Sequence, residues 1–297
     1  MKLEREHLVD LAELAIQAAR QAGALIAEHA SRQVAVKTKA NAPSRASEVV
    51  TEVDFMSQEA ILKVLKPSCA KYDLALLAEE SPDDHSRLEK DAFWCIDPMD
   101  GTLCFVEGTP GYAVSIGLTA RSGEPLIGVV FDPVEQVMYH AVSGVGAFRN
   151  GEPFRVDGNA DRSGRPLWLI SDGGFQHHPL IGEIMAELES IASQLGCDGV
   201  ASQFQGGAAM CACWVMERAP ACYFYFPKSA DGGGSLWDYA ATACIAQEAG
   251  AIVSDSFGNP LDLNRADSTY MNHRGMIYAT DMELAQRISW LREKLYG

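Results

Sequence analysis

Three apolar runs, Tyr112 to Thr119, Leu126 to Phe131 and Val137 to Val142, are joined by Arg121-Ser122-Gly123-Glu124 and by a link that opens on Asp132-Pro133. Each run is rich in β-branched and other apolar residues, and Gly or Pro punctuates the joints, so they read as strands. Connections this short join antiparallel neighbours, because a parallel crossover needs about a dozen residues or more. The N-terminal half therefore contains an antiparallel meander, and other segments must cover its faces.

Those segments are legible on either side. From about Glu6 to Ala30, Leu8, Leu11, Leu14, Ala15, Ala18, Ala22 and Leu25 recur at helical spacing and predict a long amphipathic helix. Lys37 to Ser47 is polar and holds Asn41-Ala42-Pro43-Ser44, which predicts a loop. A second helix is expected from near Asp54, a residue able to cap its first N–H groups, and is expected to stop at Pro67. Leu74 to Leu77 reads as a strand ending at Glu79-Glu80. After the turn pair Asn150-Gly151 the pattern changes to alternation: Trp168 to Ile170 as strand, Pro179 to Leu195 and Gly206 to Glu217 as helices, Tyr223 to Phe226 as strand, then helices over Trp237 to Gly250 and Met282 to Leu295. The expectation is an α+β chain in two parts: residues 1–158 with an antiparallel sheet, and residues 159–297 with α/β character.

Composition narrows the function. With 297 residues, 47% of them apolar and 22% charged, the chain can bury a full core as an ordinary globular protein. A formal charge of −16 argues against a nucleic-acid polymer or an anionic membrane surface as partner. No apolar run approaches the ~18 residues of a membrane span, and the start Met1-Lys2-Leu3-Glu4-Arg5-Glu6 is charged, so a cytoplasmic location is expected. Eight cysteines stand without a C-x-x-C pair or a histidine at zinc spacing, and read as reduced and mostly buried; Cys211 and Cys213 lack the further ligands that zinc needs.

The chemistry concentrates at Asp97-Pro98-Met99-Asp100-Gly101-Thr102, directly after the apolar run Phe93-Trp94-Cys95-Ile96. Two carboxylates three apart at a strand end repel one another unless a cation lies between them, and hard cations such as Mg²⁺ take oxygen ligands. Gly-Thr behind them can offer backbone N–H groups to an anion. The alternative is an Asp-Pro turn followed by a Gly-containing turn. Asp54 and Asp238 stand at expected helix starts, where a carboxylate can simply cap, and Glu79 at a strand end can simply be solvated.

Taken in order, Val50-Thr51-Glu52-Val53-Asp54, Glu79-Glu80, Asp97-Pro98-Met99-Asp100-Gly101-Thr102, Trp237-Asp238 and Glu248-Ala249-Gly250 resemble the inositol monophosphatase superfamily, lithium-sensitive Mg²⁺-dependent phosphomonoesterases. The agreement in order and residue type covers nearly the whole chain. The resemblance implies a layered α-β-α-β-α sandwich and a phosphatase that uses two or three Mg²⁺ ions, Mn²⁺ being possible. It places one ion on Glu79, Asp97 and the Met99 carbonyl, and a second on Asp97, Asp100 and Asp238, with a weaker third near Glu79. Glu79 and Thr102 would orient the attacking water, Asp54 would hydrogen-bond Thr102, and Gly101 and Thr102 would receive the phosphate. A homodimer is common in the family.

Substrate choice rests on fewer residues. Asp231 lies seven positions before Asp238, where inositol-reading members carry an acid, which favours an inositol or related sugar monophosphate; a turn residue is the alternative. Leu103-Cys104-Phe105 matches neither common continuation of the motif, and Gly206-Gly207-Ala208-Ala209 lacks the serine usual at that helix start. Tyr270-Met271-Asn272-His273-Arg274 resembles the tail of the 3′(2′),5′-bisphosphate nucleotidases, which makes adenosine 3′,5′-bisphosphate the second substrate candidate. Arg274 could pair with phosphate or be a surface charge, and Lys37 has the same two readings. A weakly active member kept as a binding or regulatory protein is the non-enzymatic alternative.

Overall fold

The computed structural model describes residues 3–30, 36–38, 49–158, 161–232 and 234–297. The chain opens with α1 (Arg5–His29), a short antiparallel pair β1 (Val36–Thr38) and β2 (Val49–Thr51), and α2 (Glu52–Tyr72). Strands β3 (Ala75–Ala78), β4 (Ala92–Asp100), β5 (Ala113–Ala120), β6 (Pro125–Asp132), β7 (Val137–Val142), β8 (Gly146–Arg149) and β9 (Glu152–Phe154) follow, with the six-residue helix α3 (Thr102–Glu107) between β4 and β5. They form one seven-stranded sheet in chain order, parallel at β3–β4 and antiparallel from there on.

The second part comprises β10 (Leu167–Ser171), α4 (Ile181–Gln194), β11 (Val200–Phe204), α5 (Ala208–Glu217), β12 (Ala221–Tyr225), α6 (Leu236–Ala249), β13 (Ile252–Ser254), β14 (Met276–Ala279) and α7 (Met282–Tyr296). Its five strands are ordered β11-β10-β12-β14-β13, with β10 parallel to both neighbours and β14 antiparallel to both of its own.

Alternation along the strands creates the layers. On β4, Trp94 and Ile96 enter the core shared with α1 and α2, while Phe93 and Cys95 enter the core shared with α5 and α6. On β12, Tyr223 faces α5 and α6, and Cys222 and Phe224 face α4 and α7. The result is the α-β-α-β-α sandwich expected, with α5 and α6 as the layer between the two sheets. The contact of α6 with the first sheet is made at backbone distance. A Cβ on Gly128 of β6 would lie 2.0 Å from the Ala241 carbonyl, and one on Gly117 of β5 would lie 2.9 Å from the Ala240 side chain.

Several local expectations need correction. Pro67 does not end α2, which runs on to Tyr72 and stops at Asp73 in the left-handed region. Burial outweighs the lost backbone donor there: Leu65, Ser68 and Tyr72 are all buried, and Trp94 Nε1 donates to Ser68 Oγ at 2.9 Å. Asp54 is the third helical residue and Thr51 the cap; the N–H and hydroxyl of Thr51 both donate to Asp54 Oδ2 at 2.7 Å. Lys37, expected in a loop, sits on β1, and residues 39–47 of that loop lie outside the described residues. The meander is longer than the apolar runs suggest, because Asn150 and Gly151, both at positive φ, turn β8 into β9. The short strands β11, β13 and β14 carry no strong alternation, so local spacing does not announce them.

Candidate metal centre

Asp97 and Asp100 are three apart, so on a regular strand they would point to opposite faces. They do not, because the pairing of β4 with β5 slips between them. Asp97 stands opposite Ser115 and Asp100 opposite Ala113, so three steps on β4 match two on β5. This bulge holds Pro98, which has no N–H to offer a ladder, and it turns both carboxylates to one side. There they meet Asp238, and carboxylate oxygens of the three residues lie within 4.8 Å of one another.

Asp238 arrives from the first turn of α6. It is the third helical residue of a capping box in which Ser235 N donates to Asp238 Oδ2 at 2.6 Å. Ser115 Oγ on β5 donates to the Trp237 carbonyl at 3.2 Å and ties the start of α6 beside Asp97. Asp100 serves a third helix: its two oxygens accept from the N–H groups of Ala208 at 3.1 Å and Ala209 at 2.7 Å, at the start of α5. Gly207 makes room for this, since a Cβ there would sit 2.3 Å from Asp100 Oδ2. Gly101, at φ +87°, packs equally tightly, with its missing Cβ 2.7 Å from the Gly111 carbonyl.

Glu79 follows β3, its N–H donating to the Ile96 carbonyl at 3.1 Å beside Asp97 on the next strand. Gln58 of α2 steadies this loop, accepting from Glu80 N at 3.0 Å and donating to Ser81 Oγ at 2.9 Å. Asp54 uses one oxygen for Thr51 and the other for Thr102, whose Oγ1 lies 2.9 Å from Asp54 Oδ1 and 3.2 Å from the Met99 carbonyl. One side chain thus closes the capping box of α2 on Thr51 and reaches Thr102.

Asp97 is 2% exposed and Asp100 6% exposed. Burial drives the pKa of Asp97 well above the ordinary carboxylate range, and the negative charges of Glu79, Asp100 and Asp238 drive it the same way. Asp100 is also raised well above that range, first by burial and then by Asp238, against the pull of the two α5 N–H groups. Burial raises Asp54 as well, against hydrogen bonds from Thr51 and Thr102 that lower it. Buried carboxylates whose neighbours are other carboxylates call for a compensating cation, and an all-oxygen set suits Mg²⁺ or Mn²⁺.

Two expected substrate residues lie apart from this arrangement of bonds. Asp231 is exposed on the link between β12 and α6, two residues before Gly233, which lies outside the described residues. Arg274 pairs through Nε with the buried Asp255, and its guanidinium lies 5.3 Å from the centre of the Phe257 ring, so its partner in the structure is a carboxylate. The neighbouring Asn272 does something the sequence did not announce. Its Nδ2 donates to the carbonyls of Lys228 at 3.3 Å and Ala230 at 3.0 Å, fastening the loop that carries Asp231. Ser115, a polar residue inside an apolar strand run, and the Gly206-Gly207 pair ahead of a helix are the sequence signals for the other supporting residues. Glu248 of the Glu-Ala-Gly motif accepts from Gly144 N at 2.8 Å and is a loop anchor.

Comparison with known proteins identifies the family. The model of the inositol monophosphatase family matches residues 7–293. Human inositol monophosphatase 2 is 32% identical over 251 residues, 84% of this chain and 81% of that protein. A protein named Nus factor SuhB from Pasteurella multocida is 33% identical over 245 residues, 82% of this chain and 85% of that protein. Among solved structures, the IMPase of Thermotoga maritima superposes with a TM-score of 0.73 at 24% identity, covering 96% of this chain and 99% of that one. The chain belongs to the inositol monophosphatase family.

Proposed function

We propose that the protein is a Mg²⁺-dependent phosphatase that hydrolyses a small phosphomonoester, an inositol or related sugar monophosphate. The observation that carries this reading is the bulge that turns Asp97 and Asp100 together toward Asp238. Glu79, Asp97, Asp100, Asp238 and the Met99 carbonyl would hold the cation. When bound, it lowers the pKa of water and offsets charge that builds on the phosphate oxygens. The chain's own residues supply orientation. The Thr102 hydroxyl has one hydrogen, and the shorter contact, to the Asp54 carboxylate, takes it. Its lone pairs are left to accept from a water, which Glu79, following β3 beside Asp97, would help to orient. Gly101 and Thr102 present backbone N–H groups to the phosphate.

Asp231 supports a polyol, since a carboxylate can accept from two vicinal hydroxyls, and the fastening of its loop by Asn272 supports a positioned role. The name of the human relative points the same way. Inositol 1-phosphate, adenosine 3′,5′-bisphosphate and fructose 1,6-bisphosphate, assayed side by side with Mg²⁺, test the choice. Preference for inositol 1-phosphate is expected, and preference for the bisphosphate nucleotide would overturn it. Asp97→Asn is expected to lower turnover by about a thousandfold or more. Unchanged turnover in that variant, on every phosphomonoester tried, would leave the metal-centred mechanism without support.

A further inference from the structure

The chain carries a net charge of −16, yet one open cleft of about 820 Å³ is lined by four arginines, Arg149, Arg155, Arg165 and Arg218. They come from β8, the segment after β9, the segment before β10, and the end of α5, so the fold and not a basic run in the sequence assembles them. Asp157 and Glu217 also line the cleft. Glu217 is engaged, accepting from Arg149 Nε at 2.7 Å and from the Tyr139 hydroxyl at 2.6 Å. The other three guanidiniums bond neutral acceptors. Arg155 Nη1 donates to the Glu248 carbonyl at 2.8 Å, Arg165 Nη1 to the Ala219 carbonyl at 3.3 Å, and Arg218 Nη1 to the Gln203 side-chain oxygen. Among the described residues none of these three forms an ion pair with a carboxylate.

A helix-capping role accounts for one donor on Arg155, because Glu248 lies in the last turn of α6. It does not account for the rest of a guanidinium with five N–H groups. The Arg218 guanidinium carbon lies 5.1 Å from the centre of the Trp168 ring, a contact that holds the group at the cleft wall, where its fork can meet a bidentate acceptor. The cleft is remote from the metal centre. Arg155 meets α6 ten residues after Asp238, about 15 Å along the helix axis. Arg218 caps the opposite end of α5 from the one Asp100 holds.

We propose that this cleft is a second ligand site that binds a small polyanion carrying several phosphate groups, independently of the metal centre. A pocket of this size suits a small molecule better than a polymer backbone, and the acidic surface elsewhere repels a polymer.

Inorganic tripolyphosphate, titrated calorimetrically into the full-length protein in EDTA, is the probe. Binding is expected, and it should weaken about tenfold in Arg155→Gln/Arg165→Gln, where glutamine keeps a donor for each carbonyl but no charge. Asp100→Asn should bind as wild type does. Both variants' melting curves and the phosphatase activity of the arginine variant serve as folding controls. No binding by wild type at millimolar probe would overturn the proposal. So would equal binding by the double-glutamine variant, loss of binding in Asp100→Asn, or tighter binding of a single-stranded oligonucleotide than of tripolyphosphate.

Discussion

Asp100 does two things at once: it closes the start of α5 through Ala208 and Ala209, and it faces Asp97 and Asp238. Both tasks need its carboxylate in one place, and Gly207 is what allows it. Gly207→Ala would put a Cβ within 2.3 to 2.6 Å of all three carboxyl atoms of Asp100, so the acid must swing away or α5 must retreat. The expected cost is about 1–3 kcal/mol of stability, the range for overpacking, with weaker Mg²⁺ dependence of turnover. A Mg²⁺ titration of activity beside a thermal melt checks it; an unchanged titration would show that Asp100 is not held by this contact. Asp54 illustrates why single residues misread easily. The sequence offers a helix-start contact or a bond to Thr102 as alternatives, whereas two oxygens let one carboxylate make both.

The centre depends on how α6 seats on the first sheet, because Asp238 moves with that helix. Two glycines, Gly117 and Gly128, let its backbone come down onto β5 and β6. Gly128→Ala would place a Cβ 2.0 Å from the Ala241 carbonyl, too close for any side-chain adjustment to relieve. The helix must lift, so a loss of about 3 kcal/mol or more is expected, together with loss of phosphatase activity as Asp238 leaves Asp97. Urea denaturation checks the first and the inositol 1-phosphate assay the second; a variant as stable as wild type would mean that α6 does not bear on β6 at this point. The small residues of α6, Ala240, Ala241 and Ala243, mark this helix as one that packs closely. Which strand residues receive it is not written in the helix, since Gly117 and Gly128 look like strand breakers until their partner is seen.

Across the molecule, the layered sandwich buries a negatively charged cluster between its parts, and that has a consequence for stability. Asp97 and Asp100 have pKa values raised above the ordinary 3.8, so the folded, cation-free chain binds more protons than the unfolded chain over the range just above that value. Stability then falls as pH rises through the raised pKa values and is greatest where the carboxylates are protonated. In EDTA the melting temperature is expected to rise from about pH 8 to about pH 5, and Mg²⁺ is expected to raise it most at the higher pH. Calorimetric scans with and without Mg²⁺ test this; a melting temperature insensitive to Mg²⁺ at pH 8 would contradict a cation between these groups. Among the described residues no helix is long and apolar enough to cross a membrane.

The motif Asp97 to Thr102, the helices with periodic apolar faces and the meander were all legible in order along the chain, because each is written in local spacing. So was the family, since its signature is a series of short local motifs. Short strands such as β11, β13 and β14 were not, because their pairing rather than their alternation makes them strands. The persistence of α2 past Pro67, the occupation of Arg274 by Asp255 and the gathering of four arginines around one cleft depend on residues far apart in sequence. Spacing along a chain specifies which side chains share a face of one element. Only the packing of elements specifies which carboxylates lie within reach of one cation, and here that was set by one extra residue in β4 and three glycines without a Cβ.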